Sequence, residues 1–125
     1  MSKILEHLKY AESHEWVKVE GKIAYVGITD FAQHSLGSIV YVEAGNEGDQ
    51  VEQFAVFGVV ESVKAASDIL SPLSGTIIEV NQEVVDSPEL LNENPYEHYL
   101  IKVEIADEKE LDNLLDAVAY AEVAK

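Results

Sequence analysis

The chain contains no cysteine, which excludes disulfides, thiolate metal ligands and cysteine nucleophiles. It also contains no arginine. All 8 basic residues are lysines, against 24 acidic residues, and the formal net charge at pH 7 is −16. A chain with this balance lacks the cationic surface that binding to a nucleic-acid backbone or an anionic membrane requires. A partner with a basic surface, in contrast, would be attracted to it over a distance.

Long apolar runs are absent as well. No stretch approaches the roughly 20 residues that a membrane-spanning helix needs, and residues 1–16 resemble neither a signal peptide nor an Arg/Ser-rich leader. We therefore expect a cytoplasmic protein, although a mature mitochondrial matrix protein would look the same. With 125 residues, of which 47% are hydrophobic and 26% charged, the chain is expected to form one domain over residues 1–125.

What the sequence does contain is a series of short strand-like segments separated by turns. The predicted strands are residues 14–19, 23–28, 38–43, 54–60, 69–70, 76–80 and 99–105. A short helix is predicted over Asp30–Leu36, with Thr29 as its N-cap and Gly37 as its stop, and a single helical turn over residues 87–91. This pattern is typical of a small antiparallel sandwich or barrel with peripheral helices.

The C-terminal segment changes its periodicity. Asp107, with Glu110 three residues later, forms a pattern like a capping box. The apolar residues that follow have the i, i+3, i+4, i+7 spacing of an amphipathic helix: Leu111, Leu114, Leu115 and Val118. We therefore expect one helix that starts at Asp107 and packs on the sheet as a lid.

A weak internal repeat is also present. GSIVYV at residues 37–42 and GTIIEV at residues 75–80 share the pattern Gly-x-Ile-(Val/Ile)-x-Val, offset by 38 residues. A repeat of this length suggests two half-domains related by a pseudo-twofold axis. Six residues can also match by chance in a valine-rich chain, so the pattern leaves both interpretations open.

Lys64 is the residue most in need of explanation. It lies in a polar or small stretch, residues 61–68, between two apolar runs. If these runs are two strands of a hairpin, Lys64 lies at the exposed tip, followed by the small residues Ala65 and Ala66. An enzyme that modifies the lysine amine could reach it there. From the pattern alone, a solvated loop lysine is the alternative.

The segment ESVKAASDILSPLSG closely resembles the lipoylation motif of the glycine cleavage system H protein. Other segments match this family in its order, over about residues 10–105: HEWVKVEG, VGITDFAQHSLG, IVYVE, FGVVESVKAASD, SPLSG, VN, SPELLNENPY and LIKVE. The resemblance implies a mainly β barrel-sandwich hybrid of the lipoyl/biotinyl-carrier type, with short peripheral helices and a C-terminal helix. It also implies that lipoic acid is joined to Lys64 by an amide bond.

Two related kinds of carrier fit less well. Biotin carrier domains typically have methionine on both sides of the modified lysine, whereas Val63 and Ala65 flank Lys64 and the only methionine is Met1. Lipoyl domains of 2-oxoacid dehydrogenases usually have an acidic residue directly before the lysine and lack the HEWV and GITD segments. The resemblance therefore favours the H protein over both.

By this resemblance the chain is a carrier without catalytic residues of its own. Its lipoyl arm would take up an aminomethyl group at the pyridoxal-phosphate site of glycine decarboxylase. An aminomethyltransferase would pass the one-carbon unit to tetrahydrofolate, and dihydrolipoamide dehydrogenase would reoxidise the arm. A lipoate ligase or a lipoyl/octanoyl transferase would attach it, and a monomer is expected. The alternatives are a lipoyl relay or donor for 2-oxoacid dehydrogenases and an unmodified acidic interaction domain.

The resemblance also assigns roles to other residues. Glu61 and Gly75 match positions that help lipoylating enzymes to recognise the hairpin; otherwise they are a solvated carboxylate and a turn glycine. A cleft that docks the loaded arm would draw on the following residues: Ser13, Glu15, Ile28, Leu36 and Asp68. The Glu15 carboxylate would pair there with the protonated amine of the arm. The alternative is that Glu15 faces solvent beside Trp16.

The sequence departs from the family pattern in three places. His34 replaces an acidic residue, Glu97, His98 and Tyr99 replace a Gly-x-Gly-Trp-like element, and Phe54 occupies a turn position that is usually polar or glycine. The first two departures would alter the cleft lining or the partner fit, and Phe54 would change the packing at the base of the hairpin, whereas the lipoylation motif itself is intact.

Histidine chemistry and nucleotide binding have no motif behind them. The four histidines lack metal-ligand spacing, and the consecutive residues 13–15 cannot converge as a triad on one strand. No phosphate-binding glycine loop is present either.

Overall fold

The computed structural model describes residues 2–125, which form two antiparallel β-sheets with short helices around them. The strands are β1 Lys9–Tyr10, β2 Glu15–Glu20, β3 Ile23–Ile28, β4 Ile39–Glu43, β5 Gln50–Val51, β6 Val56–Ser62, β7 Ala66–Leu70, β8 Gly75–Val80 and β9 Ile101–Ile105. One sheet has six strands in the order β1-β2-β3-β9-β8-β5, and the other has three in the order β4-β6-β7. The predicted small β sandwich is thus confirmed.

The helices are short and lie between or after the strands. They are α1 Asp30–Leu36, α2 Gln82–Asp86, α3 Leu90–Glu93, a 3-10 helix over Glu108–Asn113, and α4 Ala117–Val123. Within residues 2–125 none of them is both long enough and apolar enough to cross a membrane.

The main core joins the two sheets. Strands of both sheets contribute side chains to one apolar cluster: Val26, Ile28, Ile39, Val42, Val60, Ile69, Ile77, Ile101 and Val103. β-branched residues dominate because they suit the pleated surface of a strand. Leu91 of α3 is fully buried in the same cluster, and burial of a leucine side chain stabilises by about 2 kcal/mol. The hairpin of β6 and β7 is therefore one wall of the core.

Helix α1 forms where the sequence predicts it. The hydroxyl oxygen of Thr29 accepts a hydrogen bond from the Ala32 N–H at 3.2 Å, as an N-cap does. Gly37 ends the helix with φ +82°, a conformation that favours glycine. Helix α2 was not predicted, and it ends at Ser87, whose N–H donates to the Glu83 carbonyl at 2.9 Å. The predicted turn over residues 87–91 is present, since the N–H groups of Leu90 and Leu91 donate to the carbonyls of Ser87 and Pro88 at 3.0 and 3.1 Å, and it leads into α3 at Leu90.

The expected C-terminal helix is present as α4, but the prediction that it starts at Asp107 as one continuous helix is wrong. Asp107 caps only the 3-10 helix, and the Glu110 carboxylate accepts hydrogen bonds from the N–H and hydroxyl of Ser74 at 2.8 and 2.7 Å instead of closing a capping box. The chain then extends, and Leu115 exchanges two backbone hydrogen bonds with Tyr10. Asp116 starts α4 by accepting from the Ala119 N–H at 2.8 Å.

Helix α4 is attached by an aromatic residue rather than by the predicted apolar stripe. The Tyr120 ring stacks on Tyr10 with centroids 4.4 Å apart, and its hydroxyl lies 2.6 Å from the hydroxyl of Thr29. Val118, which the periodicity placed on the buried face, is 80% exposed. The segment still covers the end of the six-stranded sheet, but with a different set of contacts.

The two copies of the repeat lie in different sheets and share an irregularity. Residues 37–42 lead into β4 of the three-stranded sheet, and residues 75–80 form β8 of the six-stranded sheet. The register of β4 shifts between Ile39 and Tyr41, and that of β8 shifts between Ile77 and Glu79. These positions are equivalent in the repeat, since each pair is 38 residues apart. The shared shift supports the repeat over a chance match.

Gly75 provides a test of how closely β8 and β9 approach. A Cβ atom on Gly75 would overlap the carbonyl oxygen of Glu104 and lie 2.7 Å from Cγ1 of Val103. We expect Gly75→Ala to lower the free energy of unfolding by about 2 kcal/mol or more, because a strand must move. The control is Gly21→Ala, which has φ +64° and nothing within 4 Å of the new atom, and should cost about 1 kcal/mol. Equal losses in urea unfolding would contradict this.

Candidate functional site

Lys64 lies at the tip of the β6–β7 hairpin, as predicted. The tip is a tight turn in which the Ser62 N–H donates to the Ala65 carbonyl at 2.7 Å. The Ser62 hydroxyl oxygen accepts hydrogen bonds from the N–H groups of Lys64 and Ala65 at 3.3 and 3.1 Å. One serine therefore satisfies the turn locally. The side chain of Lys64 is left exposed.

The tip rests against the junction between α1 and β4. The Val63 N–H donates to the carbonyl of Ser38 at 3.0 Å. The position that a Cβ would take on Gly37 lies 3.6 Å from Cε of Lys64. In the part of the chain that the structure describes, no carboxylate lies within 4.0 Å of the Lys64 amine. This geometry suits an enzyme that must reach the amine, while the backbone under it stays fixed.

The two residues expected to assist recognition lie in different sheets. Glu61 is exposed on β6, opposite Ala66 of β7 and Tyr41 of β4, three residues before Lys64. Gly75 is buried in the six-stranded sheet, where it pairs with both Val51 and Ile105. It is the first residue of β8, so the alternative that it is a turn glycine is wrong.

Glu15 is buried rather than facing solvent, so the alternative placement beside solvent is wrong. Only 2% of Glu15 is exposed. One carboxylate oxygen accepts from the Ser13 hydroxyl, and the other accepts from the Leu70 N–H at 3.1 Å. This second bond joins β2 of one sheet to the outer edge of β7 in the other. Burial raises the pKa of Glu15 to about 7, and the hydrogen bonds from Ser13 and Leu70 lower it only partly.

Of the other expected cleft residues, Ile28 lies directly opposite Glu15 in the pairing of β2 with β3, so the two side chains point to the same face of the sheet. Leu36 and Asp68 belong to other elements, α1 and β7. Ile28 is 3% exposed and Leu36 is 9% exposed, and both belong to the main core. Asp68 is exposed on β7, opposite Val59. Ser13, Glu15 and the end of β7 are joined by hydrogen bonds, whereas Ile28 and Leu36 lie in the apolar interior. That these residues form a cleft in which the loaded arm docks remains a prediction.

A cleft of about 370 Å³ lies next to Ser13. Its lining residues are Glu12, Ser13, Phe54, Leu70, Asn113 and Leu115. Phe54 has φ +65°, which is unusual for a large side chain, and is nearly half exposed. In the sequence, the only indication of this cleft was that Phe54 occupies a turn position that is usually polar or glycine. Asn113 and Leu115 reach the cleft only because the C-terminal segment breaks after the 3-10 helix, which the periodicity did not indicate.

The histidines occupy separate places. His14 is half-buried with Nδ1 2.8 Å from the Tyr120 hydroxyl, and burial lowers its pKa. His34 and His98 lie near single carboxylates, those of Asp30 at 3.9 Å and Glu83 at 3.8 Å. Residues 2–125 hold no group of three or more side chains that could together bind a metal ion.

A two-sheet β-fold with an exposed lysine at the tip of the β6–β7 hairpin has the architecture of the lipoyl-type carrier domains, the barrel-sandwich hybrid. The model of the family described as "Glycine cleavage H-protein" matches residues 8–125. The chain belongs to this family, whose members are the carrier component of the glycine cleavage system.

Similar proteins support this membership along nearly the whole chain. The glycine cleavage system H protein of Carboxydothermus hydrogenoformans is 54% identical over 121 residues, which cover 96% of this chain and 93% of that protein. The corresponding protein of Alkaliphilus oremlandii is 54% identical over 120 residues, covering 96% and 94%. The crystal structure of a glycine cleavage system H protein from Mycobacterium marinum superposes with a TM-score of 0.86 at 34% identity, covering 95% of this chain and 97% of that one.

The buried carboxyl group of Glu15 predicts a pH dependence of stability. Its folded-state pKa of about 7 exceeds the ordinary value of 4.5, so the folded protein binds this proton more tightly than the unfolded chain. The stabilisation is full below the unfolded pKa and is lost as the pH rises through 7. Between pH 5 and 8 the loss should be on the order of 2 kcal/mol.

Glu15→Gln is the matched variant, because an amide can still accept from Leu70 and donate to Ser13. Urea unfolding of both proteins at pH 5 and pH 8 measures the difference. The stability of the natural protein relative to the variant should fall between these pH values. Parallel curves would show that burial does not perturb Glu15.

Proposed function

We propose that this chain is the lipoyl carrier of a glycine cleavage system, with lipoic acid joined by an amide bond to Lys64. The observation that carries the proposal is the position of Lys64, exposed at the tip of a hairpin in a member of this family. Lys64 lies within the matched residues and within the segment that resembles the lipoylation motif.

The residues around Lys64 fit such a group. An amide bond to the amine removes the positive charge, so the modified side chain can enter an apolar pocket without the cost of desolvating a cation. When bound, lipoic acid supplies the thiol–disulfide chemistry that a cysteine-free chain lacks. The chain itself supplies a fixed attachment point, because the turn is held by Ser62 and docked on Ser38.

The proposed partners are the enzymes of the same system. The carrier would serve glycine decarboxylase, aminomethyltransferase and dihydrolipoamide dehydrogenase in turn, and would be loaded by a lipoate ligase or a lipoyl/octanoyl transferase. A net charge of −16 steers a carrier toward basic partner surfaces. Glu61, exposed three residues before Lys64, is available to the loading enzyme. Gly75 contributes to that recognition, on this proposal, through the packing of β8 against β9.

We also propose that the carrier protects its loaded arm at the junction of the two sheets. The supporting geometry is Ser13 at the rim of the cleft, with the Glu15 carboxylate bonded beneath it and Asp68 exposed two residues before Leu70. Leu36 and Ile28 would contribute as apolar backing from the core. Shared burial between the sheets supports one domain over the chain, and the bacterial relatives support a cytoplasmic location.

The proposed function predicts that Lys64 can be lipoylated. Incubation with a lipoate ligase, lipoate and ATP should add one lipoyl group, and peptide mapping should place it on Lys64. Lys64→Arg should abolish the addition, because a guanidinium is not acylated by the ligase. Lys22→Arg is the matched control, since Lys22 is also an exposed lysine in a hairpin turn. A folded protein that gains no group on Lys64 would contradict the proposal.

Another prediction separates the glycine cleavage role from that of a lipoyl donor. The lipoylated protein should support exchange of labelled bicarbonate into glycine by glycine decarboxylase, and the Lys64→Arg variant should not. Transfer of the lipoyl group to a 2-oxoacid dehydrogenase domain is measured in parallel. Full lipoylation without glycine–bicarbonate exchange would overturn the assignment to glycine cleavage.

A further inference from the structure

The side chain of Asn92 makes three hydrogen bonds to the segment beneath the hairpin tip. Its Oδ1 accepts from the Ile39 N–H at 2.8 Å. Its Nδ2 donates to the Gly37 carbonyl at 2.8 Å and to Oε1 of Gln33 at 2.9 Å. Asn92 belongs to the segment SPELLNENPY, to which neither the modified lysine nor the cleft gives a role. One side chain thus fastens the end of α1 to the start of β4.

The direction of these bonds is fixed by the network around them. Gln33 uses its Nε2 to donate to Asp30 at 2.8 Å, which leaves its Oε1 for Asn92. Rotating the Asn92 amide would set oxygen against the Gly37 carbonyl and nitrogen against the Ile39 N–H. Each donor hydrogen and each acceptor oxygen in this network therefore has a suitable partner only in this orientation of the Asn92 amide.

Asn92 is itself held firmly. The residue before it, Leu91, is fully buried in the main core. Three residues after it, the Pro95 carbonyl accepts a hydrogen bond from the Trp16 indole at 3.0 Å. Helix α3 has only one turn, but it is anchored on both sides, so Asn92 is a fixed point rather than a mobile surface residue.

The segment that Asn92 holds is the one against which Lys64 is placed. Ser38, between the two backbone groups bonded by Asn92, accepts the Val63 N–H through its carbonyl. A Cβ atom added to Gly37 would lie 3.6 Å from Cε of Lys64. The chain of contacts therefore runs from Asn92 through residues 37–39 to the tip, without contact between Asn92 and the lysine amine.

We propose that Asn92 is a positioning residue for the modification of Lys64, acting through residues 37–39 to hold the hairpin tip in the orientation that the lipoylating enzyme recognises. This inference rests on the proposed function for its substrate. The structural part of the inference, that Asn92 restrains the tip, does not depend on the proposed function. Because Asn92 contacts the hairpin tip only through residues 37–39, its substitution should loosen the tip and leave the apolar core intact.

Asn92→Asp tests this role. Aspartate keeps the acceptor for Ile39, loses both donated bonds and sets a carboxylate against two oxygens. The matched control is Asn81→Asp, which adds the same charge and removes one amide donor, that from Nδ2 to the Tyr99 carbonyl at 2.8 Å. Asn81 lies at the start of α2, in the segment that follows β8.

Two measurements are made on each full-length protein. The first is kcat/KM for lipoylation of Lys64 by a lipoate ligase, and the second is hydrogen exchange of the Val63 amide relative to the core amide of Val103. We expect Asn92→Asp to lower kcat/KM about tenfold and to speed Val63 exchange about tenfold, the effect of roughly one net hydrogen bond. Asn81→Asp should change both by less than about twofold.

The outcomes separate the inference from the proposed function. An Asn92→Asp protein that matches Asn81→Asp in both measurements overturns the inference. So does a variant in which Val63 and Val103 lose protection equally, because that result describes a general loss of stability. If the natural protein is not lipoylated at all, the proposed function fails. In that case, faster Val63 exchange in the Asn92→Asp variant than in the natural protein would still establish that Asn92 restrains the tip.

Discussion

Packing between the two sheets is the interaction on which the other features depend. The inner face of the β6–β7 hairpin, including Val60 and Ile69, is buried against residues of the six-stranded sheet such as Val103. A hairpin alone is marginally stable in water. Because this one is a wall of the core, its two strands stay fixed up to the turn. Lys64 can then be exposed while the backbone that carries it is ordered.

Two polar contacts attach the ends of the β6–β7 hairpin, which the apolar core does not hold. Within residues 2–125 no strand pairs with the outer edge of β7, and an unpaired edge invites association with other chains. Glu15 covers the end of that edge by accepting from Leu70, at the cost of burying a carboxyl group. At the other end of the hairpin, Ser38 receives the Val63 N–H. The hairpin is thus attached to the body near its base and near its tip.

The sequence predicted the elements whose signals are local. Helix α1 has its N-cap Thr29 and its terminating Gly37 directly beside it, and the hairpin of Lys64 is visible as two apolar runs around a polar turn. The C-terminal segment was mispredicted because Glu110, which would close a capping box, is used by Ser74 from a distant turn. The partner of Glu15 could not be predicted either, since the Leu70 N–H is 55 residues away and carries no side-chain signal.

The lysines are unevenly distributed along this chain. Between residues 23 and 101, Lys64 is the only one, and the chain has no arginine. Acylation of its amine would take the formal charge from −16 to −17 and leave that whole stretch without a lysine cation. Acylated and unmodified molecules would then differ in electrostatic potential at the hairpin tip. An enzyme with a basic surface could thereby distinguish an acylated, uncharged Lys64 from an unmodified, charged one before touching the cofactor.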